Sequence, residues 1–314
     1  MFDIVYIILV FENPNQIKKL VSSLNAENVF FYLHVDKKID QLVFEKSLSS
    51  LLNVNYHFIE DRNEISWGDN MMVKSILNLI KIVNLNHKNG YCILLSNNDY
   101  PIKSNSSIRN YLLSNYGNSF ISMAELPAKS YIYQQRLTYY KFDLSKNKKD
   151  LVLIPSIWDK SFYTIKSFRS LFRALNSLQY KKLYKILVKR KHPKFIDKIF
   201  WGSSYWALPI QVTNQILSFC DTNKNFVGFH KETFISDELF FQTILHHLNK
   251  IGKIDTVFDV RCTYMNFEEG NSSPDILRSS DFEELSLLPN RFLFARKFDS
   301  KIDDKIFKLI DSIR

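Results

Sequence analysis

The first third of the chain alternates short apolar runs with amphipathic stretches, and no other feature narrows the available folds as much. Ile4 to Val10, Val29 to Val35, Val54 to Ile59, Tyr91 to Leu95 and Ser119 to Met123 read as strands. Between them, Asn15 to Leu24, Gln41 to Leu51, Trp67 to Leu85 and Asn105 to Leu112 carry apolar residues at helical spacing. Parallel strands need long crossovers and helices supply them, so repeated βα units predict an α/β fold: a Rossmann-type, mainly parallel sheet with helices on both faces. The run from Tyr91 ends in Ser96-Asn97-Asn98-Asp99-Tyr100, where Pro101 is expected to halt the strand. Such a strand delivers amides and a carboxylate to the carboxyl edge of the sheet, where open α/β sheets bind ligands. An Asn-rich turn with no further role is the alternative.

A chain of 314 residues can form one large α/β domain, with hydrophobic content of 46% and aromatic content of 15% that exclude disorder. The expected organisation is a single domain over 1–314, with a nucleotide-binding half at 1–125, a basic helical insertion at 151–200 and an acceptor or catalytic half at 201–314. The apolar run at Met1 to Val10 is too short to span a bilayer and lacks a basic leader, which predicts a soluble protein. Three cysteines without CxxC spacing argue against a disulfide framework or a thiolate zinc site and favour a reducing compartment. Seven glycines, spread from Gly68 to Gly270, assemble neither GxGxxG nor a P-loop. A net charge of +10 favours anionic partners. Much of it lies between Lys160 and Lys198, where aromatic and aliphatic residues at helical spacing stand among many cations. Such a segment can be a solvated face or can lie on an anionic membrane.

Candidate chemistry is sparse. Asp237 and Glu238 are expected in the first turn of a helix behind a capping Ser236. There acids satisfy the helix dipole, and the same field would keep Glu238 ionised, as a general base must be. Asp99 invites a metal-ligand reading, but no Asp-x-Asp occurs and a hard cation wants clustered carboxylates, so no metal site is expected. Cations would then have to steady a diphosphate, with Arg278, Arg296 and Lys297 as candidates and ordinary surface charge as the alternative. His34, His246 and His247 are assigned to surface and structure, since adjacent helix positions diverge. Ser203 and Ser204 lack a GxSxG elbow, and nothing but charge suggests nucleic acid, so no nucleic-acid partner is expected.

Six segments in order resemble the core-2/I-branching β-1,6-N-acetylglucosaminyltransferase family, which includes the peptide O-xylosyltransferases. They are Tyr32 to Lys38, Ser66-Trp67-Gly68, Leu94 to Lys103, Gly202-Ser203-Ser204-Tyr205-Trp206, Asp237 to Thr243 and Phe294 to Phe298. The resemblance implies a GT-A-like fold and an inverting, metal-independent transfer from a UDP-sugar, with no cofactor. The donor is expected to be UDP-GlcNAc, with UDP-xylose or another UDP-hexose as the alternative. It also places the catalytic base on Glu238 and the donor-binding set on Asp36, Ser66, Trp67, Ser203, Arg278, Arg296 and Lys297. The acceptor side falls on Asp99, Arg136, Tyr205 and Phe267, the last standing where relatives carry a tryptophan. The family member implied is bacterial and works in the cytoplasm, at the inner membrane face through 160–198, on a surface polysaccharide or lipid-linked oligosaccharide. A non-catalytic basic module that binds glycan or membrane is the competing class.

Overall fold

The computed structural model describes residues 1–128, 130–145, 150–177, 180–255, 257–267 and 273–314. The first part of the chain runs β1 (Asp3–Val10), α1 (Pro14–Leu24), β2 (Val29–Val35), α2 (Leu42–Leu48), β3 (Tyr56–Phe58), α3 (Met71–Asn86), β4 (Gly90–Ser96), β5 (Asp99–Pro101), α4 (Asn105–Ser114) and β6 (Ser119–Ile121). The middle holds β7 (Ala124–Glu125), the short α5 (Tyr131–Tyr133), a π-helical turn at Gln134–Thr138, β8 (Tyr139–Asp143), β9 (Leu151–Pro155) and α6 (Ile165–Leu175). The remainder is β10 (Phe200–Trp201), β11 (Trp206–Pro209), α7 (Ile210–Thr222), α8 (Lys224–His230), α9 (Phe240–Lys250), β12 (Val257–Asp259), β13 (Thr263–Met265), α10 (Phe282–Leu287), β14 (Phe294–Arg296) and α11 (Lys305–Asp311).

Seven strands form the central sheet in the order β12-β6-β11-β4-β1-β2-β3. Only β11 runs against its neighbours; β1 pairs in parallel with β2 and β4, and β12 with β6. Both faces are covered, which is why β1 and β4 read as unbroken apolar runs rather than alternating ones. The alternation survives in what each side chain meets. Ile4, Tyr6 and Ile8 belong to the core shared with Ile17 and Leu20 of α1, Ile108 of α4 and Phe307 of α11. Val5, Ile7 and Leu9 belong to the opposite core, with Ile76 and Leu79 of α3, Ile216 of α7 and Phe241 and Ile244 of α9. This is the mainly parallel α/β architecture expected from the βα repeats.

The chain leaves β1 towards β2 on one side and returns to β4 on the other, so the crevice beyond Val10 and Ser96 is a topological switch point. Asn97 closes that point from inside. Its side-chain oxygen accepts the Phe11 N–H at 3.1 Å, and its backbone oxygen accepts the Gln16 amide at 2.6 Å. The same Gln16 amide reaches the Phe298 carbonyl at 2.9 Å, tying the last tenth of the chain to the edge of the sheet.

Three local expectations are corrected. The strand from Tyr91 does not run on to Pro101: β4 ends at Ser96, and Asp99–Pro101 is a separate short strand, β5, of a three-stranded sheet, β13-β14-β5. The helix expected from Trp67 begins at Met71, since Gly68 sits at φ +74° and the Asp69 carboxylate accepts the N–H groups of Ser66 at 3.0 Å and Met71 at 2.9 Å. Ser236 makes no capping bond; Ser236–Glu238 is a separate 3₁₀ turn ahead of α9, behind Ile235 at φ 52°.

The basic segment packs on a hairpin that starts before it. Tyr140 and Phe142 of β8, Val152 and Ile154 of β9, Phe162, Ala174, Leu183 and Ile186 form a third, separate core. Arg190, one of the cations of this segment, is only 8% exposed. It donates to the carbonyls of Arg136, Tyr139 and Phe229 and to the Thr233 hydroxyl at 2.8–3.1 Å, joining the small core to the main body.

Gly90 opens β4 at φ +119°, and a Cβ there would lie 1.8 Å from the Asp3 carbonyl oxygen. Gly90→Ala should therefore cost about 2–4 kcal/mol in denaturant unfolding. Gly252→Ala, at φ +69° with open space around it, should cost clearly less, and equal losses would show that the β1–β4 contact is not what Gly90 protects.

Candidate active site

The reversed strand β11 starts where the parallel strands end: Ala207 pairs with Ile93, so Trp206 and Tyr205 lie level with the carboxyl end of β4. The segment leading into it is fastened to the turn that carries Asp237 and Glu238. The Gly202 N–H donates to the Glu238 carbonyl at 2.9 Å, and the Ser204 hydroxyl donates to the Asp237 carboxylate at 2.6 Å. From the first turn of α9, Gln242 donates to the Ser203 carbonyl at 2.8 Å. Gly202 has no room for a side chain, because a Cβ would sit 1.9 Å from the Ser122 carbonyl oxygen. Two motifs more than thirty residues apart thus form one rigid unit.

Of the Asp-Glu pair, Glu238 is the member that reaches solvent. Its side chain is 34% exposed, and its Oε2 lies 2.7 Å from Nη1 of Arg136, whose side chain is 13% exposed. Arg136 sits on the π-helical turn, and its guanidinium lies 5.7 Å above the Trp201 ring. Burial raises the Glu238 pKa, the Arg136 charge pulls it back down, and the adjacent Asp237 pushes it up. Burial outweighs the rest, so the pKa is raised on balance, and Arg136 is the charge that opposes the rise. Asp237 is itself raised by burial and lowered by the Ser204 hydroxyl.

A second charged group lies along the same loop. The Arg296 guanidinium stacks 3.7 Å from the centre of the Tyr205 ring, with Nη1 3.7 Å from Oδ1 of Asp99. Asp99 is wholly buried, and its Oδ2 accepts the Ser96 N–H at 2.6 Å and the Ser96 hydroxyl at 2.7 Å. It has no exposed surface to offer an acceptor, and what it does in this structure is hold Arg296. Burial lowers the Arg296 pKa and raises that of Asp99, and each charge offsets the other's loss of water. Nε and Nη1 of Arg296 are buried without a hydrogen-bond partner among the described residues. Lys297 follows, half-buried, with its ammonium on the Ser273 hydroxyl.

The remaining expected donor residues line the other side of the Asp-Glu turn. Asp36, 3% exposed, accepts the Lys38 N–H at 2.9 Å and the Ile65 N–H at 3.2 Å, which pins the loop before Ser66 to the end of β2. Trp67 is 39% exposed and packs edge-on to Phe234 at 5.3 Å. The Ile235 N–H donates to the Gly68 carbonyl at 3.0 Å, so this loop and the Glu238 turn move together. Asp36, Ser66, Trp67, Glu238, Arg136, Ser203, Tyr205, Arg296 and Asp99 are thus joined by contacts along the carboxyl edge. Arg278 and Phe267 are exposed and stand outside that chain of contacts. His34 is buried, its Nε2 facing the Asn63 N–H at 2.9 Å, while His246 stacks on Phe200 and His247 turns to Phe195 and Phe219. Among the described residues no group of His, Cys, Asp and Glu side chains is placed to hold a metal.

Sequence reasoning missed Trp201 and Lys141. Trp201 directly precedes the Gly202 motif, which was a usable signal; Lys141, donating to the Trp67 carbonyl at 3.0 Å from β8, gave none.

With this edge in view, the comparisons define the class. The chain belongs to the Core-2/I-Branching enzyme family, whose pattern matches residues 4–286. Among curated proteins it is similar to Xylosyltransferase 2 of Mus musculus, 21% identical over 94% of this chain and 32% of that protein. It is also similar to Xylosyltransferase sqv-6 of Caenorhabditis elegans, 25% identical over 40% of this chain and 16% of the other. The chain spans about a third of the length of the xylosyltransferase 2 relatives it matches. Among solved structures, mouse xyloside xylosyltransferase 1 in its apo form overlaps 94% of this chain and 96% of its own, with a TM-score of 0.38 and 12% identity.

Because burial raises Glu238 and Arg136 lowers it, reactivity that needs the carboxylate should fall as pH drops through the Glu238 pKa. Arg136→Met removes the lowering charge, so the acid limb of the kcat/KM profile should move to higher pH. A limb that stays in place would detach Arg136 from the charge on Glu238.

Proposed function

We propose that this protein is an inverting glycosyltransferase that moves a sugar from a UDP-sugar to a hydroxyl of a glycan acceptor. The observation that carries the reading is the Glu238 carboxylate, partly exposed at the carboxyl edge, paired with Arg136 and braced from behind by Gly202 and Ser204. In the proposed step Glu238 accepts the proton of the acceptor hydroxyl. The freed oxygen electron pair forms the new bond to the anomeric carbon from the face opposite the diphosphate, and the carbon–oxygen bond to UDP breaks with its electrons staying on the phosphate. The negative charge that develops there needs fixed donors. The Arg296 guanidinium, whose Nε has no hydrogen-bond partner among the described residues and whose Nη1 makes only the 3.7 Å ion pair with Asp99, supports placing such donors at the diphosphate, with Lys297 beside it and Arg278 as a further cation. Asp36, Ser66 and Trp67 would line the nucleoside side, and Tyr205, Arg136 and Phe267 the acceptor side.

The donor is taken as UDP-GlcNAc, with UDP-xylose the alternative, since the similar curated proteins are named xylosyltransferases. No cofactor is included, and metal independence rests on the missing Asp-x-Asp. The acceptor is placed in bacterial surface polysaccharide synthesis, as a glycan or lipid-linked oligosaccharide. The three free, buried cysteines support a cytoplasmic setting.

Thermal-shift measurements with a panel of nucleotide sugars, with and without EDTA, test the donor; stabilisation by one UDP-sugar that survives EDTA is expected, because a ligand of the native state raises the melting temperature. Stabilisation lost with EDTA would reject metal independence, and silence across the panel would favour a non-catalytic module. Glu238→Gln should cut turnover by at least about a hundredfold while that shift persists, and near-normal turnover would remove Glu238 as base. Lys297→Ala should weaken UDP binding in calorimetry, and an unchanged affinity would take Lys297 off the diphosphate.

A further inference from the structure

Helix α6 is built inside out for a helix on a soluble core. Ile165, Phe168, Phe172 and Leu175 recur at i, i+3, i+7 and i+10 and so share one face, yet they are 73%, 51%, 68% and 54% exposed. The face turned to the protein holds Ser167 and Ala174 instead. Ten large apolar side chains between Trp158 and Val188 are exposed, a concentration found nowhere else among the described residues. They include Tyr184 and Leu187 of the 3₁₀ segment Tyr180–Leu187, which packs beside α6. An exposed apolar surface of this extent marks an interaction site.

Its charge says what the partner is. From 160 to 198 the chain carries twelve Lys or Arg and one acid, Asp197. Arg169, Lys181, Lys182, Lys189 and Lys191 are exposed and have no ion-pair partner among the described residues. Lys166, Arg169 and Arg173 fall along one flank of the apolar stripe. A second copy docking through this face would press cations against cations, whereas a bilayer with anionic headgroups matches both parts: acyl chains for the stripe, phosphates for the flank. No helix of the described residues is long and apolar enough to cross a membrane, so the contact lies in the interfacial plane.

We propose that the small domain built on the β8–β9 hairpin docks this protein onto an anionic lipid surface, with the outward face of α6 inserted among the headgroups. The inference stands on this surface alone and does not depend on the transferase reading. The full chain should pellet with phosphatidylcholine vesicles that contain phosphatidylglycerol and remain free with phosphatidylcholine alone. Phe168→Ser combined with Phe172→Ser should reduce binding to the anionic vesicles on the order of tenfold or more, with only a small fall in melting temperature, since Phe172 is 68% exposed and Phe168, whose ring meets Phe162 at 5.7 Å, is 51% exposed. Lys181→Glu with Lys182→Glu should abolish the preference for anionic lipid. Failure to bind anionic vesicles, or binding that both variants retain, overturns the proposal. So does a concentration-dependent dimer in sedimentation velocity that the double Phe variant disrupts, which would assign the face to a second copy.

Discussion

The hydrogen bond from the Ser204 hydroxyl to the buried Asp237 carboxylate, backed by Gly202 N–H to the Glu238 carbonyl, holds the candidate site together. A carboxylate 9% exposed is expensive unless its oxygens are met, and meeting them fixes the loop into β11 against the turn before α9. Everything at the carboxyl edge hangs from that joint. Through Tyr205 it positions Arg296 and Asp99, and through Ile235 it reaches the Gly68 turn and Trp67. Ile235 takes φ 52°, a region a β-branched residue avoids, so the surrounding contacts are strong enough to impose a strained link next to Glu238.

The charged groups at this edge follow one physical rule: burial neutralises and an opposite charge restores. Glu238 and Asp99 are raised by burial and pulled back by Arg136 and Arg296. The two pairs differ in exposure. Asp99 and Arg296 are 0% and 8% exposed at their side chains and act as a fixed internal pair, while Glu238 at 34% can meet a second molecule. In the proposed reaction this difference favours Glu238 for proton transfer and Arg296 for fixed positive charge.

The sheet was legible because its signal is periodic. Ile4 to Val10 is apolar at every position and Val29 to Val35 at all but His34, as expected of strands covered on both faces, and the helices between them carry their own period. Family membership was also legible, since six short motifs survive in order. Boundaries were less so: Asp69 capping its own turn moves α3 to Met71, and β4 stops at Ser96 short of Pro101, with pairing to β14 making Asp99–Pro101 a second strand. Neither partner is near in sequence to the residue it redirects in the second case, and no local pattern encodes it.

By itself the sequence determined the βα alternation, the apolar runs that become the two cores, the missing phosphate-binding glycine motifs and the concentration of cations between 160 and 198. These depend on residue type and spacing along one chain. Only the tertiary structure decided which cation faces which acid. Arg136 meets Glu238 across a hundred residues, Arg190 turns inward as a joint while Lys181 stays in water, and the apolar stripe of α6 points outward. The physical reason is that charge pairing and the direction of an amphipathic face are set by what packs alongside, and a helical period states that a face exists without saying which way it turns.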